Sequence, residues 1–327
     1  MERKRLAYLD YARVFVVYFV IFGHLLPENN HIPRDYIYSF HMPFFFLVSG
    51  MLHKLTGRVE WRKYLRTLGV PLLFFNVLFF FIINPIFYRY GVYSEPKIIS
   101  YGEMLALGLS KLWNALFFDG NIPSGMTWFF VALLWCKLMM DLLQYSKLLW
   151  GVFFTILYIL VIGSHTPVFF IRNGLMAFPF YYLGCTYKKQ IGDFVHKRSA
   201  LIWMIVLGAF WLLMTCFNGN PSMRYVKFGR LPYSLCIPAF YAIAISGSMF
   251  FLILSAQFKQ RNTVLFLAKS LITVVGIQAV FCDPYREWCE PLRYDWMIPL
   301  AIVIFFICAG FHWMIMRYAP FLLGKSK

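Results

Sequence analysis

The chain has 327 residues, of which 61% are hydrophobic, 21% aromatic and only 14% charged, with a formal net charge of +17. A soluble domain carries about 25% charged residues, so this composition excludes an ordinary soluble protein and points to a lipid bilayer. The apolar runs are continuous and of helical length, which excludes the alternating ~10-residue strands of an outer-membrane barrel. The expected fold class is therefore all-α: a polytopic membrane protein of about ten transmembrane helices, both termini cytoplasmic, forming one domain over residues 1–327. It has no internal repeat, low-complexity tract or long soluble insert.

The first apolar run, Tyr8–Leu26, is long enough to cross a bilayer, which needs about 20 apolar residues. It follows the basic start MERKRL with no small-residue cleavage site, so it reads as a retained helix. Within it lie Arg13 and His24. An arginine in such a segment costs at least ~2.5 kcal/mol on insertion scales, so it normally faces protein or a water-filled cavity. The two residues are eleven apart, which on a helix brings them within about 20° of one face and about 16 Å apart along the axis. A cation towards the inner end and an imidazole towards the outer end suit an enzyme whose two substrates arrive from opposite sides of the membrane. The other reading of Arg13 is an ion pair with Asp10, one turn away.

The link PENNHIPRDY is short, so the first two spans are expected to be antiparallel neighbours. The second contains IYSFHMPFFFLVSGML, with His41 one turn inside the outer boundary at the depth of His24. Pro43 would free carbonyls in the preceding turn and open polar space beside the ring. Ser49 and Gly50 would let another helix approach closely. His41 could equally be a packing hydrogen-bonder.

Spans are predicted at roughly 8–26, 37–53, 68–88, 127–144, 147–163, 168–187, 199–217, 233–256, 264–282 and 296–317, with ends uncertain by ~3 residues. With the N-terminus inside, 18 Lys and Arg fall in inner segments and nine in outer ones, four lying within spans. That bias orients both termini to the cytoplasm and makes lipid headgroups, not nucleic acid, the expected partner of the positive charge. The outer residues Arg224, Lys227 and Arg230 run against the trend and could attract an anionic substrate or headgroup.

Later spans carry further ionisable groups. Lys137 and Asp141, four residues apart, are expected to neutralise each other. Arg172 stands one turn inside the outer face, at the depth of His24 and His41, either stabilising an intermediate or snorkelling to the interface. Lys269 is expected to snorkel, His312 to be structural, and Trp128 to sit in the aromatic belt or under a sugar. Five cysteines read as apolar fillers; Cys282 and Cys289 flank a short outer loop and could pair if that side is oxidising. No Cys/His spacing suggests a metal, and no Gly-rich phosphate loop is present.

Arg, ten residues, then His in the first span resembles the signature of the acyltransferase-3 family of bacterial membrane acyltransferases. Tyr36–Met51, above all FHMPFFFLVSG, is similar to its fucose 4-O-acetylase-like branch. Weaker echoes are TWFFVALLW at Thr127–Trp135 and RNGLMAFPFYYLG at Arg172–Gly184. One departure is Gln278 in FLAKSLITVVGIQAVF, a block that often ends in histidine. The resemblance implies a polytopic enzyme of the bacterial inner membrane that moves an acyl group, usually acetyl from cytoplasmic acetyl-CoA, onto a hydroxyl of a surface glycan or its lipid-linked precursor. By position, Arg13 and His24 match the family's essential pair and His41 the branch's histidine.

The chemistry asks for a base beside the acceptor hydroxyl, because an alcohol is a poor nucleophile at neutral pH. His24 is assigned that role, with His41 orienting the acceptor or donating a second hydrogen bond. Arg172 is assigned to the charge developing on the acyl oxygen. The donor phosphates fall to Arg13 and to an inner collar of Arg62, Lys63 and Arg66, which Lys188 and Lys189 could join, unless the collar only binds anionic lipid. A transporter or flippase for a lipid-linked sugar is the alternative, although no paired broken helices or repeats mark the chain as one.

Overall fold

The computed structural model describes residues 7–27, 31–92, 100, 102–103, 105–106, 108–110, 113, 125–162, 170–219, 221–289 and 293–325. Every regular element among them is helical: α1 Ala7–Leu25, α2 His31–Tyr38, α3 His41–Met51, α4 Trp61–Arg89, α5 Trp128–Leu142, α6 Lys147–Ile162, α7 Ile171–Thr186, α8 Lys188–Val195, α9 Ala200–Asn218, α10 Tyr233–Ala256, α11 Asn262–Ile277, α12 Ala279–Trp288 and α13 Tyr294–Tyr318. Two compact units result, Met1–Lys54 with Ala177–Leu271, and Leu55–Met176 with Ile272–Lys327.

In the first unit α1 packs against α3 and α10, and α9 against α10. The inward stripe of α1, Leu9, Ala12, Val16, Val17, Val20 and Ile21, recurs at three- and four-residue intervals and is buried. Close approach of α3 to α7 depends on glycine. A Cβ on Gly50 would overlap the Tyr181 carbonyl, and one on Gly184 would overlap the Leu47 carbonyl. The predicted role of Gly50 as a small contact residue is therefore met.

The second unit is built on α4, which packs along α5 and against the C-terminal turn Pro320–Leu323. The helix widens twice into π turns, Leu65–Gly69 and Phe79–Ile83. Each ends two residues before a proline, Pro71 and Pro85. A proline ring clashes with the carbonyl four residues back, and one extra residue in the turn moves that carbonyl aside. The helix thus passes both prolines without breaking.

Among the described residues, six helices are long and apolar enough to cross a membrane: α1, α4, Gly125–Leu142, α9, Ser234–Ala256 and α13. The pair α11–α12 makes a seventh if its 51° bend is one broken span. Three predicted spans are realised as shorter elements. The stretch 37–53 is not one helix but the end of α2 followed by α3, because the chain turns at Ser39–Phe40. Pro43 then falls in the first turn of α3, where a missing N–H costs nothing. Lys147–Ile162 and Ile171–Thr186 are helices of 16 residues each, and the predicted ends at 163 and 168–169 lie outside the described residues.

Candidate active site

The Ser39–Phe40 turn positions the histidines. Phe40 is buried, stacks on Phe251 of α10 with centroids 4.6 Å apart, and meets Trp211 of α9 edge-on at 5.1 Å. Trp211 Nε1 donates to Ser39 Oγ at 2.8 Å, and Ser39 Oγ donates to the Tyr36 carbonyl at 2.8 Å. Arg230 reaches back to Asp35 of α2 at 3.0 Å. Burial of Phe40 ties the turn to α9 and α10, and truncating a buried phenylalanine costs about 3–5 kcal/mol.

With that turn, His24 and His41 both lie near one ring. Tyr38 lies 5.0 Å from His41 and 6.4 Å from His24, centroid to centroid. Its hydroxyl points to the Gly23 carbonyl at 3.5 Å. His41 is buried and its Nδ1 is 2.8 Å from the Ile37 carbonyl oxygen. A carbonyl only accepts, so Nδ1 carries the hydrogen and the neutral ring keeps its lone pair on Nε2. In that state Nε2 can accept a hydrogen bond but cannot donate one, which does not fit the expected second-donor role of His41. His24 is half-buried near the end of α1.

Since α1 is unbroken, the eleven-residue spacing puts Arg13 and His24 on one stripe, with buried Val17 and Val20 between them. Arg13 forms the ion pair with Asp10 and donates from Nε to the Leu9 carbonyl at 3.2 Å. The alternative reading of Arg13 is thus physically present.

Arg172 belongs to the second unit, at the start of α7, and is half-buried. Its turn packs on α5: a Cβ on Gly174 would meet Trp135, and Cys136 Sγ lies 3.5 Å from the Gly174 carbonyl. The collar residues are exposed on α4. Lys63 pairs with Glu60, Arg62 lies over the Trp61 ring at 5.3 Å, and Arg66 falls in the first π turn. The Arg62 and Arg66 guanidiniums have no carboxylate partner among the described residues, which leaves their forks available to phosphate.

Several expectations about other groups change. Lys137 and Asp141 do not pair directly but meet through Tyr64, whose ring lies 5.2 Å from Lys137 Nζ and whose hydroxyl donates to Asp141 at 2.7 Å. Trp128 is buried, so it is neither an exposed belt residue nor an open platform. Cys282 and Cys289 are free thiols, the first buried and the second exposed. His312 hydrogen-bonds Thr273 at 2.8 Å, the structural role expected of it. No three His, Cys, Asp or Glu side chains group as a metal site among the described residues.

Sequence reasoning missed Tyr38, although its position three residues before His41 was a usable signal. It also missed His53, buried and 2.6 Å from the Tyr181 hydroxyl. Gln278, noted as a departure, is buried at the α11–α12 bend with neither amide atom hydrogen-bonded among the described residues.

The acyltransferase-3 family, described as an acyltransferase domain, matches residues 6–318, nearly the whole chain. The chain belongs to the acyltransferase-3 family. It is therefore a multi-pass membrane acyltransferase, and the transporter reading gives way. No curated protein and no solved structure matches the chain. Membership of the acyltransferase-3 family also requires an acyl donor and an acceptor as partners.

Proposed function

We propose that the chain is an O-acyltransferase of a bacterial inner membrane, moving acetyl from cytoplasmic acetyl-CoA to a hydroxyl of a cell-surface glycan or its lipid-linked precursor. The observation that carries this reading is the pair of rings, His24 and His41, set about Tyr38 at one end of α1, with Arg13 on the same helix stripe towards the other end. In this reading His24 is the base on the acceptor side and Arg13 the cation on the donor side.

In the proposed reaction the acceptor hydroxyl gives its proton to His24, while His41 Nε2 accepts a hydrogen bond from a neighbouring hydroxyl of the same acceptor and so orients it. The oxygen that gave up its proton forms the bond to the acyl carbon, the carbon–sulfur bond of the thioester breaks, and CoA leaves as the thiol once the thiolate takes a proton. Arg172 is proposed to stabilise the negative charge on the acyl oxygen, a role of the kind worth ~10²–10³ in turnover. Arg13, Arg62, Lys63 and Arg66 are proposed to hold the donor, supported for Arg62 and Arg66 by the lack of a carboxylate partner among the described residues.

Ten spans with both termini in the cytoplasm remain the proposed topology, supported by the 18-to-nine charge bias. The FHMPFFFLVSG block supports the fucose 4-O-acetylase-like branch. The test is incubation of the purified protein with acetyl-labelled acetyl-CoA and hydroxylated glycans. Label recovered as an alkali-labile ester on a glycan supports the reading; donor turnover with label only on amines or on lipid contradicts it.

A further inference from the structure

Two consecutive residues of α2 are treated differently by the fold. Asp35 is buried and receives Arg230 at 3.0 Å. Arg34 is half-buried, and its guanidinium carbon lies 5.2 Å from the centroid of the Tyr38 ring, one helical turn on. No carboxylate pairs with Arg34 among the described residues. The aromatic face holds the guanidinium in place without neutralising it, and an arginine stays charged at any working pH.

The ring that carries Arg34 is the one that touches both histidines. Tyr38 is 5.0 Å from His41 and 6.4 Å from His24. A charged fork whose in-plane N–H donors have no partner among the described residues therefore stands one aromatic ring away from the pair. Guanidinium geometry matches two oxygens of one carboxylate or phosphate, and such charge-assisted pairs are the strong hydrogen bonds.

We infer that Arg34 binds an oxyanion, carboxylate or phosphate, carried by the acceptor beside the hydroxyl that is acylated, so that acidic acceptors are preferred to neutral ones. The inference rests on the reading of the His24–His41 end as the acceptor side. Arg34 is a binding residue here and takes no part in the proton transfer. Losing a charge-assisted hydrogen bond weakens binding by about 10- to 100-fold.

The test is binding in neutral detergent at constant ionic strength, read as the shift of the thermal unfolding midpoint. The probes are methyl glucuronide, glucose 1-phosphate and methyl glucoside, with phosphatidylglycerol added separately. The intact chain is expected to bind at least one of the two anionic sugars about 10- to 100-fold tighter than methyl glucoside. Which of the two binds separates a carboxylate-bearing from a phosphate-bearing acceptor. Arg34→Gln is expected to remove the difference and leave methyl glucoside unchanged, and Arg34→Lys, which keeps the charge but loses the fork, to retain part of it. Equal binding of charged and neutral sugars by the intact chain, or a preference that survives in Arg34→Gln, overturns the inference. So does Arg34-dependent binding of phosphatidylglycerol alone, which would make this a headgroup site. The assay needs no acyl donor, so a failure of acyl transfer leaves it standing, and transfer with no charge preference defeats this inference alone.

Discussion

The Nδ1 of His41 lies 2.8 Å from the carbonyl oxygen of Ile37, a contact that fixes which ring nitrogen holds the lone pair. It arises because the chain turns at Ser39–Phe40, leaving that carbonyl at the end of α2 beside the first residue of α3. Asparagine in place of His41 can still donate to Ile37 but presents nothing where Nε2 was. His41→Asn is expected to keep the fold and to lower turnover by ~10²-fold, the scale of losing a positioning contact on a reacting group. Steady-state kinetics with an unchanged unfolding midpoint would check this. Near-normal turnover would make His41 a cap for Ile37 and nothing more.

Arg13 pairs with Asp10 and is also the proposed donor contact, and the two roles separate by substitution. Arg13→Lys keeps the charge and loses the planar fork, so the KM for acetyl-CoA is expected to rise by about tenfold, equal to one lost charge-assisted bond of about 1.4 kcal/mol. Asp10→Asn releases Arg13 and is expected to leave that KM unchanged. Equal damage from both would mean that the ion pair, not the donor, is what Arg13 serves.

Trp211 secures the turn through one hydrogen bond to Ser39 and through ring contacts to Phe40 and Phe251. Trp211→Phe preserves most of the ring contact and deletes the donor. It is expected to cost about 1 kcal/mol of stability, the usual net value of such a bond. Turnover should fall several-fold with the donor KM unaffected, because Tyr38 and His41 flank the turn on its two sides.

Helix contact in the first unit can be tested with an alanine pair. A Cβ at Gly50 would overlap the Tyr181 backbone carbonyl, which cannot move aside as a flexible side chain does. Gly50→Ala is expected to destabilise by about 1–3 kcal/mol, as overpacking does. Gly310 in α13 has open space where its Cβ would go, so Gly310→Ala should be neutral or slightly stabilising. Detergent unfolding midpoints of the two variants compare them directly.

Much of this could be read in the chain beforehand, for identifiable reasons. Composition alone set the all-α membrane class, because nothing but helices suits continuous apolar runs of that length. The Arg13–His24 relationship followed from helical periodicity, and α1 realises it. The short link suggested that His24 and His41 are neighbours, and both rings lie near Tyr38. The kink that separates α2 from α3 could not be, since it is fixed by Phe40 and Trp211, whose partners are nearly two hundred residues away in the chain. The same holds for Lys137 and Asp141: spacing suggested a direct pair, and Tyr64, from another helix, stands between them. Where a helix turns inside an apolar stretch, as at Ser39–Phe40, hydropathy gave no sign, because it marks where apolar residues lie and not where a helix bends.

The central claim is that His24 takes the proton from the acceptor hydroxyl, and His24→Gln tests it most directly. Glutamine keeps much of the size and hydrogen bonding of the ring but cannot act as a base near neutral pH. Turnover of acetyl-CoA onto the acceptor is expected to fall by at least ~10²-fold, the lower end of what a general base contributes. The unfolding midpoint and the KM for acetyl-CoA are expected to stay as they are. A glutamine variant that turns over at a near-normal rate would contradict the account and leave His24 as a packing residue.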